Sequence, residues 1–192
     1  MGTIVISENV SLDGVMEDPT GEEGSKHGGW FHQFLNGDSD AWAEFGLEQA
    51  LAASALLVGR RSDQYFGSRW NTREGAWAET LNNLPKYVVS STLEEPVWVN
   101  STVVRGDAVS EVSKLKEEVD GEIVCLASRQ LAQTLLEHRL VDELRLLVYP
   151  AVLGAGGRLF GETSDKTSLR RLESRTVGDG LAYLRYEVVR PG

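Results

Sequence analysis

Two short segments of the chain combine residue types that suit the binding of a phosphate group. The first is the run Val58-Gly59-Arg60-Arg61-Ser62, in which an apolar segment ends in glycine and is followed by two guanidinium groups and a hydroxyl. A helix that starts here would expose unpaired N–H groups and the positive end of its dipole, both of which attract anions. Arginine adds planar, bidentate recognition of phosphate. The alternative is that both arginines pair with surface carboxylates.

The second segment is Leu126-Ala127-Ser128-Arg129-Gln130-Leu131, where a strand again gives way to a helix with a hydroxyl and a guanidinium at the junction. Taken alone, Ser128 is equally well explained as an ordinary N-cap. A third apolar run, Val88-Val89, ends in Ser90-Ser91-Thr92. Because ligands of open α/β sheets lie beyond the carboxyl ends of the strands, the three ends together predict one rim that holds a phosphorylated dinucleotide.

The elements that must position these residues follow from hydrophobic periodicity and from turn and cap residues. Strands alternate with helices along most of the chain, which indicates a single α/β domain, residues 1–192, with right-handed crossovers. The last two strand-like runs, Leu169–Val177 and Ala182–Val189, predict an antiparallel hairpin. The other predicted strands are Thr3–Val10, Ala55–Gly59, Lys86–Ser90, Val97–Val99, Ile123–Leu126 and Glu143–Pro150, and the predicted helices are about Asp40–Ala53, one that starts at Arg60, one after Asp107, and Arg129–His138.

Charge and reactive side chains exclude several classes of protein. The net charge of −10 is the opposite of the basic footprint that nucleic-acid binding needs. Neither a secretory signal nor an apolar run of the ~20 residues that cross a bilayer is visible, so we expect a cytoplasmic protein without a membrane partner. The single cysteine, Cys125, lies in an apolar run and is expected to be a buried structural thiol. His27, His32 and His138 are too scattered to predict a metal site.

Further motifs make the whole chain resemble a known family. That family belongs to the dihydrofolate-reductase-like superfamily and includes the C-terminal reductase domain of the riboflavin-biosynthesis enzyme RibD. The motifs that carry the resemblance are SLDG at 11–14, LLVGRRSDQYF, KYVVSST, the strand–helix unit near 126–136 and LVDELRLLVYPAVLGAGGRLF. The likeness runs from about Thr3 to Val189. It implies a central, mostly parallel sheet flanked by helices, an antiparallel C-terminal hairpin, and NADPH as the cofactor.

On the cofactor side, the resemblance implies two phosphate-binding helix starts. Arg60 and Ser91 would face the adenosine 2′-phosphate, and the second helix start would lie near the pyrophosphate. The residues implied at the first helix start and the neighbouring strand end are Gly59, Arg60, Arg61, Ser62, Ser90 and Ser91, and those implied at the second are Ser128, Arg129 and Gln130.

One position departs from the family pattern. Relatives usually carry one or two glycines at the strand end where this chain has Ala127-Ser128. Glycine serves there either because a side chain would crowd the cofactor or because the backbone needs a positive φ. Alanine is the smallest replacement, and serine can still donate to a phosphate, so the departure would weaken or alter the cofactor preference.

On the substrate side, the resemblance points to Asp13, Trp30 and Gly154. Asp13 would lie beside the nicotinamide site, where a carboxylate could bind a pyrimidine or pterin edge or help to deliver a proton, and the alternative is an Asp-Gly turn. The loop from Met16 to Trp30 holds the position of a mobile lid in relatives. Trp30 could stack on a flat ring or pack in the core. The loop at Gly154 would border the substrate pocket, or would be a flexible connection.

The resemblance implies NADPH-dependent reduction of a pyrimidine- or pterin-like heterocycle, as in 5-amino-6-(5-phosphoribosylamino)uracil reductase. Asp40, Glu44 and Glu48 do not align with the helix acid of dihydrofolate reductases, which argues against that activity. The alternatives are a non-catalytic or regulatory ligand-binding protein on the same fold and a flavin-binding relative. Relatives are usually homodimers, and the apolar residues that could build such an interface are Val148, Tyr149, Val152 and Leu153.

Overall fold

The computed structural model describes residues 1–35, 37–162 and 166–190, in which strands and helices alternate as expected. The strands are β1 (Thr3–Ser11), β2 (Ala53–Gly59), β3 (Lys86–Val89), β4 (Ser101–Val104), β5 (Glu122–Leu126), β6 (Glu143–Tyr149), β7 (Ser168–Val177) and β8 (Leu181–Val189). The helices are α1 (Trp30–Phe34), α2 (Ser39–Ala52), α3 (Arg60–Trp70), α4 (Ala76–Asn83), α5 (Ala108–Glu118) and α6 (Arg129–Glu137). No helix in the three described ranges is both long and apolar enough to cross a membrane.

The strands form one sheet that is parallel over six strands and ends in an antiparallel hairpin. Its order is β4-β3-β2-β5-β1-β6-β8-β7. Strands β1 to β6 pair in parallel, whereas β8 runs antiparallel to β6 and β7 runs antiparallel to β8. The α/β architecture and the C-terminal hairpin expected from the sequence are thereby confirmed.

The two faces of the sheet are covered by different helices. Ile4 and Ile6 of β1 share a buried cluster with Leu135 of α6, whereas Val5 shares another with Ala50 of α2. This is the alternation that the first strand predicts, and burial of each large apolar side chain contributes about 1.5–3 kcal/mol. Cys125 is fully buried in the first of these clusters, as expected.

A crevice opens where β1 and β5 part. The last pair between them is Ser7 with Leu126, although β1 continues beside β6 as far as the pair Ser11 with Tyr149. The chain leaves β1 toward α1 and α2, and it leaves β5 toward α6. Helices α2 and α6 lie on opposite faces of the sheet. Such a divergence at the carboxyl ends of parallel strands is where α/β sheets bind their ligands.

The predicted strand Val97–Val99 is wrong, because that segment is fixed from the side by a buried carboxylate. Asp63, which is fully buried, accepts hydrogen bonds from the backbone N–H of Val97 (2.8 Å) and of Trp98 (3.1 Å). The fourth strand begins only at Ser101. Helices α1 and α4 were not predicted, and α4 lies in the stretch that looked merely polar from its sequence.

Candidate functional site

The structure brings the three predicted strand ends together on one rim. β2 lies between β3 and β5, so their carboxyl ends are neighbours. The Gly59 N–H donates to the Ser128 hydroxyl over 2.9 Å, which ties the start of α3 to the start of α6. On the other side, the Arg60 guanidinium donates to the Thr92 hydroxyl over 3.3 Å. The roles of these residues in cofactor binding remain predictions.

Two of the predicted phosphate-binding hydroxyls are instead engaged with each other. The Ser62 and Ser128 hydroxyls lie 2.9 Å apart, and both side chains are buried. Ser62 also donates to the carbonyl of Ala127 over 2.7 Å, and Ser128 donates to that of Leu126 over 2.8 Å. These bonds hold the two helix starts in a fixed relation, so the hydroxyls stabilise the rim from below.

The cationic groups lie on the outside of the rim. Arg60 and Arg61 are exposed, as is Gln130. Arg129 is half-buried, and its guanidinium packs so closely on Gly157 that a Cβ added there would lie 2.6 Å from the Arg129 Cζ. In contrast to the serines, the arginines are therefore placed to meet an anion from solvent.

Ala127 has the backbone conformation in which glycine is usually found. Its φ is +48°, in the left-handed region that costs a non-glycine residue roughly 1–2 kcal/mol. Of the two reasons considered for glycine, the geometry supports the backbone requirement. Ala127 lies in the turn that leads from β5 into α6, so the chain makes this turn at an energetic cost.

Next to the crevice, a cavity of about 170 Å³ is walled by aromatic side chains, and we call it the aromatic cavity. Trp77 contacts Trp42 and Trp70 edge to face at centroid distances of 4.8 and 4.9 Å. Gly46 makes room for this arrangement, since a Cβ added there would lie 2.2 Å from the Trp77 ring. The aromatic residues in the wall are Trp42, Phe45, Phe66, Trp70, Trp77 and Trp98.

The polar part of this wall comes from β1, α2 and β6. Ser7, Asn9 and Gln49 contribute a hydroxyl and two amides, and the ionisable residues of the described lining are Glu8 and Arg145. Glu8 shares the face of β1 with Ile4 and Ile6, opposite to Ser7 and Asn9, so it borders the cavity at the crevice where β1 and β5 part. Carboxylate-bearing residues of α2 do not take part. Asp40, Glu44 and Glu48 are all exposed, which agrees with the sequence argument against a helix acid of the dihydrofolate reductase type.

Arg145 is held by its own neighbours, which accept from three of its five N–H donors. Its guanidinium, which is almost fully buried, donates to the carboxylates of Glu143 (2.5 Å) and Glu122 (2.6 Å) and to the amide oxygen of Gln49 (3.1 Å). Glu143 in turn accepts from Arg185. Burial lowers the pKa of Arg145, but the two carboxylates raise it further, so the group stays charged within a balanced network.

Glu8 is the ionisable residue that sequence reasoning missed. It lies where β1 and β5 separate, it is 8% exposed, and its Oε1 has no hydrogen-bond partner among the described residues. Burial raises the pKa of Glu8 to about 8, against the lowering effect of the backbone N–H groups of Ala127 and Ser128. The carboxyl is therefore mostly protonated at neutral pH. The sequence could have revealed it by its spacing, because Glu8 falls on the same face of β1 as the buried Ile4 and Ile6.

Asp13 lies outside the aromatic cavity and organises two loops. Its carboxylate accepts from the N–H groups of Leu153 (3.0 Å) and Gly154 (2.9 Å) and from the Ser11 hydroxyl (2.7 Å). The Leu153 bond, the Ser11 bond and the Gly154 bond hold the pKa of Asp13 well below its usual range. A carboxyl that is ionised at neutral pH suits the predicted role of hydrogen-bond acceptor better than that of proton donor. Gly154 itself sits at φ +76° in the partner loop.

Trp30 packs in the core and is not available to stack on a ligand ring. It is 1% exposed, donates from Nε1 to the carbonyl of Glu17, and packs edge to face on Tyr149 at 5.2 Å. Tyr149 is itself fully buried, so it cannot belong to the surface interface suggested from the sequence, whereas Val152 is 70% exposed. The predicted lid is ordered around Asp18, whose carboxylate accepts backbone N–H bonds from within the loop.

Comparison with known proteins places the chain among reductase-like proteins. Residues 2–183 match the family model of the RibD C-terminal domain. The Bacillus subtilis (strain 168) protein YyaP, which is uncharacterised, is 28% identical over 189 residues, or 95% of this chain and 93% of YyaP.

Solved structures with the same fold cover nearly the whole chain. A Shewanella sp. PV-4 protein named for riboflavin biosynthesis superposes with a TM-score of 0.74 at 23% identity, covering 98% of this chain and 99% of that one. A pyrimidine reductase-like protein from Corynebacterium diphtheriae gives 0.66 at 13% identity, covering 98% and 92%. Dihydrofolate reductase from Enterococcus faecalis, complexed with NADP(H), gives 0.61 at 16% identity, covering 97% and 96%. These likenesses confirm the dihydrofolate-reductase-like fold.

Proposed function

Because the chain belongs to the RibD C-terminal domain family, we propose that it is a reductase that uses NADPH to reduce a small pyrimidine- or pterin-like heterocycle. The observation that carries this proposal is the position of the aromatic cavity. It lies beside the β1–β5 crevice, next to the rim formed by the ends of β2, β3 and β5. A dinucleotide on the rim and a ring in the cavity would meet at the crevice.

The residues of the rim fit a phosphorylated dinucleotide. α3 starts directly after Gly59, and the first turn of α6 contains no acidic residue. The first turn of α3 does contain Asp63, but that carboxylate is buried and accepts from the N–H groups of Val97 and Trp98, so both helix starts still present N–H groups to an anion. Arg60, beside Thr92, would hold the 2′-phosphate that distinguishes NADPH from NADH, and Arg61 and Arg129 would add positive charge. When bound, this cofactor supplies a hydride.

The chain's own residues would supply the rest of the reaction. Aromatic side chains exclude water from the cavity and orient a flat ring by stacking. Reduction of a ring C=N bond needs a proton on nitrogen as well as a hydride on carbon. Glu8, which is largely protonated at neutral pH and lines the crevice, is the best-placed donor, and its carboxylate would regain a proton from solvent. Asp13 would hold the two loops at the mouth of the crevice.

Calorimetric titration with NADPH and NADH tests the proposal. We expect NADPH to bind more tightly than NADH, and Arg60→Ala to abolish that preference, since a charge-assisted hydrogen bond contributes about 1.5–3 kcal/mol, or roughly 10- to 100-fold in affinity. Arg171→Ala removes the same charge from β7 at the far edge of the sheet and should leave binding unchanged.

Two outcomes would contradict the proposal. If neither dinucleotide binds, the protein is a non-catalytic ligand-binding member of the family, and the strained Ala127 becomes the first position to examine. If Arg60→Ala and Arg171→Ala weaken binding equally, the effect comes from overall charge, and the first helix start does not hold the 2′-phosphate.

A further inference from the structure

The aromatic cavity restricts the class of substrate more narrowly than the family does. Six of its wall residues are aromatic, and four of the five tryptophans of the chain are among them. The centroids of neighbouring rings in the wall lie about 5 Å apart. A planar ligand ring can pack against these rings by stacking or by edge-to-face contact. An apolar cavity of roughly 150 Å³ accepts a single benzene-sized ring. The volume of about 170 Å³ therefore suits one such ring, and a second fused ring would extend toward the adjoining crevice.

The charge balance of the wall disfavours a phosphorylated ligand. Only Glu8 and Arg145 are ionisable among the described residues that line the cavity. The charge of Arg145 is already matched by the carboxylates of Glu143 and Glu122, and Glu143 is bound by Arg185 as well. A phosphate dianion would need an uncommitted guanidinium, ammonium or cluster of N–H groups. It would also have to lose its hydration against six aromatic residues, which is costly without a paired charge.

A few neutral polar groups remain to recognise ring heteroatoms. Ser7 and Asn9 project from β1 on the side of the sheet that α2 covers, and Gln49 projects from α2. A hydroxyl and two amides can each donate and accept hydrogen bonds. This pattern of a mostly apolar pocket with a few polar groups is how small-molecule sites combine affinity with orientation.

We propose that the aromatic cavity binds an uncharged, planar nitrogen heterocycle of one or two rings that carries no phosphate. This inference deepens the proposed function, on which it rests for the role of the ligand as substrate. It separates the chain from a reductase of phosphoribosylated pyrimidines, because the one cationic residue among the described residues that line the cavity is already paired with two carboxylates.

Tryptophan fluorescence and calorimetry with two probes test this inference. Quinoxaline, a neutral two-ring diazine, should quench tryptophan emission saturably and bind at millimolar concentration or below. Uridine 5′-monophosphate, which carries a pyrimidine and a phosphate, should bind at least tenfold more weakly. The inference is overturned if the nucleotide binds as tightly as quinoxaline, or if quinoxaline quenching does not saturate.

Matched variants locate the binding site. Ala50→Phe fills the cavity from α2, whereas Ala52→Phe adds the same side chain to the exposed side of that helix. We expect the first to weaken quinoxaline binding at least tenfold and the second to leave it unchanged, and equal effects would overturn the inference. Should Ala50→Phe fail to fold, Leu126→Phe fills the cavity from the end of β5 and is held to the same criterion.

The outcome can be separated from that of the proposed function. Quinoxaline and NADPH are titrated independently, each against the protein alone. Binding of NADPH without binding of quinoxaline leaves the reductase proposal standing and removes the inference about substrate class. Binding of quinoxaline without binding of either dinucleotide does the reverse, and indicates a ligand-binding protein with a neutral heteroaromatic ligand.

Discussion

Replacing Glu8 by glutamine should change how the stability of the protein depends on pH. The carboxyl is buried beside the β1–β5 crevice, and one of its oxygens has no hydrogen-bond partner among the described residues. Burial disfavours its ionised form, which raises its pKa from 4.5 to about 8. Glutamine has nearly the same shape and cannot ionise, so Glu8→Gln isolates the contribution of that one proton.

The sign and size follow from proton linkage. Between pH 4.5 and about 8, the folded protein keeps a proton on Glu8 that the unfolded chain has released, so unfolding releases a proton and the free energy of unfolding falls as pH rises. Where the pH lies well between the pKa values of the unfolded and folded states, each pH unit lowers the free energy of unfolding by about 1.4 kcal/mol. Over about two units, from roughly pH 5.5 to 7.5, the wild type should lose about 2.5 kcal/mol of unfolding free energy relative to Glu8→Gln.

Urea unfolding of both proteins across this pH range measures the difference. Every contribution that does not involve residue 8 affects both proteins alike and cancels in the comparison. Glu44→Gln, on the exposed side of α2, carries the same change of charge and should run parallel to wild type. If the wild type and Glu8→Gln curves are also parallel, Glu8 is ionised in the folded protein, and its assignment as a neutral proton donor fails with it.

Two further predictions concern the rim and the oligomeric state. Ala127→Gly should raise the free energy of unfolding by about 0.5–1 kcal/mol, because relief of the left-handed strain exceeds the entropy cost of glycine. Ala43→Gly, within α2, should lower it by about 1 kcal/mol, and a loss in both variants would contradict the argument. We also propose a homodimer that uses the exposed Val152, so light scattering should give twice the chain mass, and Val152→Asp should halve it. A monomeric wild type at micromolar concentration would exclude this dimer.

The sheet could be predicted because its signals are local. β1 alternates Ile4 and Ile6 with Val5. α5 begins directly after Asp107, whose carboxylate caps the helix by accepting from the Ser110 N–H over 2.9 Å. The rim could be predicted for a related reason. When strands are parallel and neighbouring, residues that follow their carboxyl ends must meet, and Gly59, Arg60 and Ser128 do so.

The contacts that shape the site are not local, and this is why the sequence did not reveal them. The strand predicted at 97–99 has the right composition, but Asp63, more than thirty residues earlier, claims its backbone N–H groups. The aromatic cavity draws its wall from α2, α3, α4 and the segment around Trp98, and no periodicity connects those elements. The Ser62 and Ser128 hydroxyls, which the sequence suggests as phosphate-binding groups, likewise contact each other below the surface of the rim.

Glu8 shows how burial changes the chemistry of a residue that sequence reasoning passes over. In the sequence, Asp13 belongs to the motif SLDG at the end of the first strand and is the candidate for proton delivery, whereas Glu8 belongs to no motif. In the structure, three hydrogen bonds stabilise the Asp13 carboxylate and keep it ionised, whereas burial of Glu8 keeps its carboxyl protonated. Two carboxyls five residues apart are thus driven to opposite states by their surroundings, which is the usual way in which a protein divides the roles of structural anion and proton donor. The protonated carboxyl of Glu8 thus lies at the crevice, beside the cavity, and the Asp13 carboxylate lies in the loops that frame it.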